Sequence, residues 1–210
     1  MHHHSHSQGD VGRFDDWAPS YERHWMQHLV FDPIQKTLLD LAASQVKSPT
    51  SILDVGCGTG RLLRATAARF PAARLEGVDA APQMVQTAAH LLPPGSSIHF
   101  QEATAEALPF ADSQFDLVFS TMTFHHWADQ NKGVSEVARV LSPGGRWLLA
   151  DFIGQGVVRH VIQLLRLHRF LDRSRLDNLL GPNGLKVVAE KPAGWLGKSV
   201  PVVAIGKVER

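Results

Sequence analysis

The sequence predicts an α/β protein built on a doubly wound sheet of seven strands, six parallel and one antiparallel, with helices on both faces. Three observations predict it. Short apolar, β-rich runs alternate with longer stretches of helical spacing along the 210 residues, and parallel strands need crossover helices between them. A glycine-rich turn, GCGTG at residues 56–60, follows the first such strand and opens straight into a helix, as a ligand-binding turn of an open α/β sheet does. The last two strand-like runs are joined only by the segment around Trp195, with no helix between them. The final strand is therefore expected to enter antiparallel.

Residues 1–13 carry His2, His3, His4 and His6 and read as a loose tail, able at most to bind a divalent metal weakly. Asp15 to Leu29 spaces Trp17, Tyr21, Trp25 and Leu29 along one helical face. Pro33 opens a second helix through Ile34, Leu38, Leu41 and Ala42. Residues 14–47 are thus expected to form an N-terminal helical lid, and residues 48–210 the main domain. There the pattern predicts a strand over 51–55, a helix over 61–69, a strand over 74–79, a helix over 82–91 and a strand over 98–102. A strand over 115–120 and a helix over 132–140 follow, then a turn at 142–145 and a strand over 146–152. Helices from about 156 to 171 and from 175 to 180 precede closing strands at 185–190 and 200–208.

Composition bounds the function. Hydrophobic residues make up 44% and charged residues 20%, which is a globular balance for one domain with one sizeable core. Basic and acidic residues number 21 and 20, so no overall charge draws the chain to nucleic acid. A single cysteine rules out an intramolecular disulfide and a zinc-thiolate cluster. No apolar run approaches the roughly 20 residues that span a bilayer, and the N-terminus lacks a signal-peptide core. These features predict a soluble, cytoplasmic protein with no resident metal.

The glycine turn is the most informative stretch. Gly56, Gly58 and Gly60 allow a tight turn and close approach of a ligand. Asp54 stands at the carboxyl end of the preceding strand, and Asp79 closes the next one, nineteen residues after Gly60. A carboxylate at that place can accept hydrogen bonds from the two vicinal hydroxyls of a ribose. A nicotinamide dinucleotide wants G-x-G-x-x-G so that its pyrophosphate rests on the helix N-terminus. Here the third glycine comes one residue early and Arg61 follows. The spacing suits a nucleoside without phosphates whose amino-acid tail lies along the loop, a description that S-adenosyl-L-methionine meets.

The segments LDVGCGTG (53–60), GVD (77–79), AEALPF (105–110), FDLVFS (115–120) and LSPGGR (141–146) resemble the successive motifs of class I S-adenosylmethionine-dependent methyltransferases. The likeness is closest to the ubiquinone/menaquinone-type and small-molecule branch, with its Rossmann-like sheet. FDDWAPSYERHW (14–25) is similar to the N-terminal segment of that branch. The resemblance implies that Gly56, Gly58 and the Cys57 backbone meet the methionine tail, and that Asp79 meets the ribose. Ala80 and Met84 would flank the adenine, and Ala105 and Glu106 would line its edge. Ser120 would lie under the cofactor, and Tyr21 would reach in from the N-terminal helix. One position departs from the pattern: Thr104 stands where the family carries an acid that accepts from the adenine amino group. A hydroxyl accepts without a formal charge, so that bond is weaker. Glu102, two residues earlier, would share its face if the strand continued.

Methyl transfer from a sulfonium is an in-line displacement in which orientation supplies most of the catalysis. A base is needed where the acceptor gives up a proton. His125 and His126, just after the fourth strand, are the candidates; lining the acceptor pocket without proton transfer is the alternative. Cys57, inside the turn, reads as packing rather than a reactive thiol. Trp17, Tyr21 and Trp25 could form an aromatic cage or a core-facing stripe. Along 156–175, an apolar stripe runs beside Arg159, Arg166, Arg169, Arg173 and Arg175, with only Asp172 opposing. A sheet-covering helix and a membrane-surface helix both have that pattern. The expected function is methyl transfer from S-adenosylmethionine to a small-molecule acceptor at O, N or C. A quinone or polar-lipid acceptor at a membrane surface is the alternative within the class. A nicotinamide-dependent oxidoreductase and a non-catalytic cofactor-binding protein are the alternatives outside it.

Overall fold

The structure, a computed structural model, describes residues 31–153, 172–193 and 200–208. The histidine tail, Tyr21 with its neighbouring tryptophans, the helix expected over 156–171 and the Trp195 segment lie outside the described residues. Helix α1 (Asp32–Gln45) has proline in its first turn and buries Ile34, Leu38, Leu41 and Ala42. That i, i+4, i+7, i+8 spacing makes one apolar stripe. There follow β1 (Ser51–Val55), α2 (Arg61–Arg69), β2 (Arg74–Asp79), α3 (Pro82–His90), β3 (Ile98–Glu102) and β4 (Phe115–Thr121). A short 3₁₀ turn at Phe124–His126 leads to α4 (Gln130–Val140), β5 (Leu141–Ala150), α5 (Arg173–Leu180), β6 (Leu185–Pro192) and β7 (Pro201–Lys207).

The seven strands form one mixed sheet in the order β3-β2-β1-β4-β5-β7-β6. The pairs β1–β2, β1–β4, β2–β3 and β4–β5 are parallel, and β7 runs antiparallel to both β5 and β6. The chain winds outward from β1 to β3 and then crosses back to β4. The order therefore reverses between β1 and β4, and a ligand crevice opens at such a point beyond the carboxyl ends of the strands. Both faces of the sheet are covered. Ile34, Leu38 and Leu63 pack with Leu117, Phe119 and Leu148 on the α1/α2 face. Val134, Val137, Leu176 and Leu180 pack with Phe124 and Trp147 on the α4/α5 face. The part of the expected lid that is described, α1, is thus a sheet-covering helix lying against β5 and β7.

Local chemistry shifts several boundaries. Asp129 caps α4 by accepting from the Lys132 N–H, so that helix begins at Gln130 rather than Lys132. Asp172 does the same for α5 through the Arg175 N–H, bringing its start to Arg173. The expected turn at 142–145 is absorbed into β5 as an irregularity. Phe115 pairs with Leu141 and Leu117 with Arg146, and Gly144 takes φ +78° within the extra loop of chain. The strand then stops at Ala150, two residues earlier than expected, which frees Asp151 and Phe152 from the ladder.

Candidate cofactor and acceptor site

The glycine turn folds back on the end of β2. The N–H groups of Gly56 and Cys57 both donate to the Val78 carbonyl, at 2.8 and 2.9 Å. Gly56, Gly58 and Gly60 all have positive φ, the conformation that glycine adopts without penalty. Their surroundings differ. A Cβ on Gly56 would overlap the Thr123 side chain, and one on Gly60 would overlap Phe100, whereas one on Gly58 would meet nothing within 4 Å. The turn is therefore packed on two sides and open on the third. Asp79 braces it, with Oδ2 accepting from the Gly58 N–H at 2.8 Å and Oδ1 from the Ala81 N–H at 2.9 Å. Arg61, the residue that breaks the dinucleotide spacing, reaches Asp32 at the start of α1 at 2.6 Å.

Asp54 is buried beneath this turn, and its Oδ1 has no hydrogen-bond partner. Desolvation, and then the negative charge of Asp79, push its pKa up to about 8. Cys57 is buried as well, and desolvation raises its thiol well above the usual range. That keeps the sulfur protonated, in keeping with packing rather than nucleophilic duty.

The residues expected around an adenine ring differ in exposure. Met84 and Ala105 are buried, while Ala80 and Glu106 are half-buried and Thr104 is exposed. Glu106 turns its side chain away to accept from the Asp129 N–H at 3.0 Å, at the start of α4. Because β3 ends at Glu102, the strand alternation that would put Glu102 and Thr104 on one face does not continue. Arg139, which the sequence reading missed, fastens the following loop. It donates to the Leu108 and Phe110 carbonyls at 3.0 and 2.7 Å and pairs with Glu136 at 2.8 Å. Glu136 in turn accepts from the Leu108 N–H at 2.9 Å. Ser120, at the end of β4, is fully buried, and its hydroxyl accepts from Trp147 Nε1 at 3.2 Å.

At the ends of β4 and β5 the chain brings a second set together. Met122 adopts φ +54°, unusual for a bulky side chain, and this presents Thr123 to Gly56. His125 follows in the 3₁₀ turn, with Nδ1 2.7 Å from Asp151 Oδ1. Asp151 is 1% exposed and also accepts from the backbone N–H of His125 at 3.2 Å and of Phe152 at 2.7 Å. The His126 ring lies against the His125 ring, centroids 4.0 Å apart. Below, Phe124 sits 4.6 Å from Trp127, and Trp127 stacks on Trp147 at 6.0 Å with 7° between planes. Gln130 holds the Phe124 carbonyl at 3.1 Å, and Arg175 holds Gln130 at 2.9 Å. Asp151 was not singled out from sequence. The available signal was the one that marks Asp79, an acid where an apolar parallel strand ends at the carboxyl edge.

Among the described residues no group of three or more His, Cys, Asp or Glu side chains could hold a metal. Nor is any described helix long and apolar enough to cross a membrane. The turn does fit S-adenosylmethionine. It has open space at Gly58, a carboxylate at Asp79 within reach of the same turn, and at Asp54 a partnerless buried oxygen of the kind an ammonium satisfies.

The chain is similar to known proteins in sequence and in fold. The family described as a methyltransferase domain matches residues 53–149. A demethylmenaquinone methyltransferase of Thermus thermophilus is 40% identical over 119 residues, covering 56% of this chain and 53% of the relative. A demethylmenaquinone methyltransferase of Chlorobaculum parvum is 35% identical over 167 residues, covering 76% and 67%. The chain thus spans about half the length of the Thermus relative and two thirds of the other. In fold it is similar to the protein bound by the Trm112 methyltransferase activator in a Haloferax volcanii complex. That likeness has a TM-score of 0.77 at 21% identity and covers 94% of this chain and 98% of that one.

Proposed function

The chain belongs to the class I S-adenosylmethionine-dependent methyltransferases, and we propose that it transfers a methyl group to a small quinol-like acceptor. The observation that carries this reading is the turn open only at Gly58 and flanked by two carboxylates, Asp79 and the partnerless Asp54. When bound, the cofactor supplies a sulfonium methyl that is already activated for in-line displacement. The chain's own task is to hold, orient and exclude water. The Gly56–Gly58 backbone and Asp54 hold the amino-acid end, and Asp79 the ribose. Ala80 and Met84 flank the base, and the backbone of Ala105 and Glu106 lines its edge. His125 stands at the acceptor side, and His126 packs against it. The naming of relatives as demethylmenaquinone methyltransferases supports the quinol-like acceptor.

A membrane-surface version of the acceptor reading loses part of its sequence support. Arg173 pairs with Asp177 and Glu190, and Arg175 with Gln130, so two of the five arginines serve the fold. Calorimetry tests the main reading: S-adenosylmethionine is expected to bind and NADH not to bind. Release of S-adenosylhomocysteine with a soluble demethylmenaquinol analogue tests the transfer. Binding of NADH in preference to S-adenosylmethionine would overturn the reading.

A further inference from the structure

We infer that Met122 is a positioning residue for the cofactor: its left-handed backbone, and not its side chain, seats Thr123 on Gly56 and so fixes the wall of the glycine turn that faces the end of β4. The inference rests on the methyltransferase reading and adds to it a residue that no glycine or acid pattern marks. Among the described residues only Ser113 and Met122 have positive φ without being glycine, both at +54°. Ser113 is exposed in the turn before β4, where a small polar residue is ordinary. Met122 is bulky and half-buried against the α1/α2 face, and in this region its Cβ crowds the following carbonyl oxygen. Such a conformation persists only where the surroundings over-determine it.

Both flanks of Met122 are pinned. Before it, Thr121 is paired with Ala150 in the β4–β5 ladder, and the Met122 N–H itself donates to the Ala150 carbonyl at 2.8 Å. After it, the Thr123 carbonyl accepts from the His126 N–H at 2.9 Å, closing the 3₁₀ turn. Phe124 is fully buried, and Gln130 donates to its carbonyl at 3.1 Å. Between these anchors a single residue redirects the chain. The consequence falls on Thr123: the three atoms nearest the place of a Gly56 Cβ are its Oγ1, Cβ and Cγ2. On its other side the turn hangs from β2, through the Gly56 and Cys57 N–H groups on the Val78 carbonyl and the Gly58 N–H on Asp79. The turn is thus gripped between β2 and Thr123, and a relaxation of residue 122 to ordinary backbone opens one side of the grip. Apparent cofactor affinity then falls in proportion to the fraction of molecules that still hold the turn.

Met122→Asn and Met122→Ile separate backbone from side chain. Asparagine tolerates the left-handed region without the thioether, whereas a β-branched side chain is the kind least able to enter it. The readouts are amide hydrogen exchange in the ligand-free protein and calorimetry with S-adenosylmethionine. Met122→Ile is expected to speed exchange of the Gly56 and Cys57 N–H groups by about tenfold and to weaken S-adenosylmethionine by a similar factor. The β1 amides should exchange as in the wild type. Met122→Asn is expected to stay within about twofold of the wild type in both readouts. Equal losses in the two variants would place the grip in the methionine side chain and overturn the inference. So would an unchanged turn with isoleucine, or exchange that quickens in β1 as much as in the turn. Should Met122→Ile not fold, Thr123→Ala, which takes Oγ1 and Cγ2 off Gly56, carries the test: retained affinity and unchanged turn exchange overturn the inference. Failure of the wild type to bind S-adenosylmethionine, with the exchange pattern as expected, sinks the methyltransferase reading and leaves the seating of the turn standing.

Discussion

Asp54 and Asp151 are both buried carboxylates at the carboxyl edge of the sheet, one at the end of β1 and the other just after β5. They are treated in opposite ways. Asp151 accepts two backbone N–H groups and the His125 ring, while Asp54 leaves one oxygen without a partner and has a pKa pushed up to about 8. A buried polar group left unsatisfied costs stability, so the two acids mark two kinds of duty. The satisfied one holds another side chain of the protein in place. The unsatisfied one, under the proposed function, would meet the positive charge of the cofactor's amino-acid end.

The largest expected effect tests how tightly the cofactor turn is built. Gly56→Ala would force a Cβ into Thr123 at φ +76°, combining overpacking with left-handed strain, for a cost of about 3 kcal/mol or more. Thermal unfolding should show a fall of several degrees. Gly58→Ala has the same kind of backbone cost, about 1–2 kcal/mol, and no collision within the chain. Its loss should fall instead on cofactor affinity, read by calorimetry. Equal stability losses in the two variants would mean that the space at Gly58 is not the ligand's.

Asp54→Asn probes the unpartnered acid through pH. In the folded protein this acid keeps its proton up to about 8, whereas unfolded it releases it near 3.8. The folded state therefore binds more protons between those values, and stability falls as pH rises through the window, by up to about 1.4 kcal/mol per unit. Above it the contribution is constant. Asparagine removes this slope, so the variant should be the more stable protein at pH 8.5 in urea titrations, with the advantage shrinking toward pH 5. It should also lose affinity for S-adenosylmethionine. A parent protein whose stability rises steadily from pH 5 to 8.5 would contradict the burial argument.

The contrast between the two acids explains what could be read in advance. The glycine turn is local in sequence: residues 54–60 and 77–81 carry its glycines, the bracing Asp79 and the buried Asp54, so spacing alone was enough to propose it as the cofactor turn. The strands were equally legible, because an apolar run bounded by glycine or a helix start leaves little freedom, and β1, β2 and β3 fall where the pattern puts them. The His125–Asp151 contact joins residues 26 apart, and the pairing of β4 with β5 brings them together. The partner of Ser120 was hidden for a related reason. A strand end sets the chain position, but the Trp147 indole from the neighbouring strand decides which way the hydroxyl turns. The 142–145 segment carried turn chemistry that tertiary pairing overrode.

A smaller effect is expected at Arg139, which fastens the loop that follows the expected adenine-edge residues. Arg139→Met keeps the apolar stem and removes the bonds to the Leu108 and Phe110 carbonyls and to Glu136. The Glu136 carboxylate, held below its usual pKa chiefly by that hydrogen bond, would keep only the Leu108 N–H. A stability loss of about 1–3 kcal/mol is expected, with a weaker hold on adenosine in competition binding. Unchanged adenosine affinity would detach this loop from the adenine site.

The smallest effect is expected at Thr104, the one departure from the family pattern. It is exposed, and its carbonyl accepts from the Ala107 N–H at 3.2 Å in the turn after β3. Its side chain is therefore free to change without disturbing the fold, and Thr104→Asp should alter stability by no more than about 0.5 kcal/mol. A carboxylate there accepts more strongly from an amino group than the hydroxyl does, so S-adenosylmethionine should bind as tightly or severalfold more tightly. The Glu102 alternative makes a different forecast. Because β3 stops at Glu102, nothing in the strand geometry aims that side chain at the place of Thr104, and Glu102→Gln should leave affinity unchanged. If Glu102→Gln weakens binding and Thr104→Asp does not strengthen it, the adenine edge is read by the strand end and not by the loop. Tight binding would then owe nothing to the position where the family carries its acid.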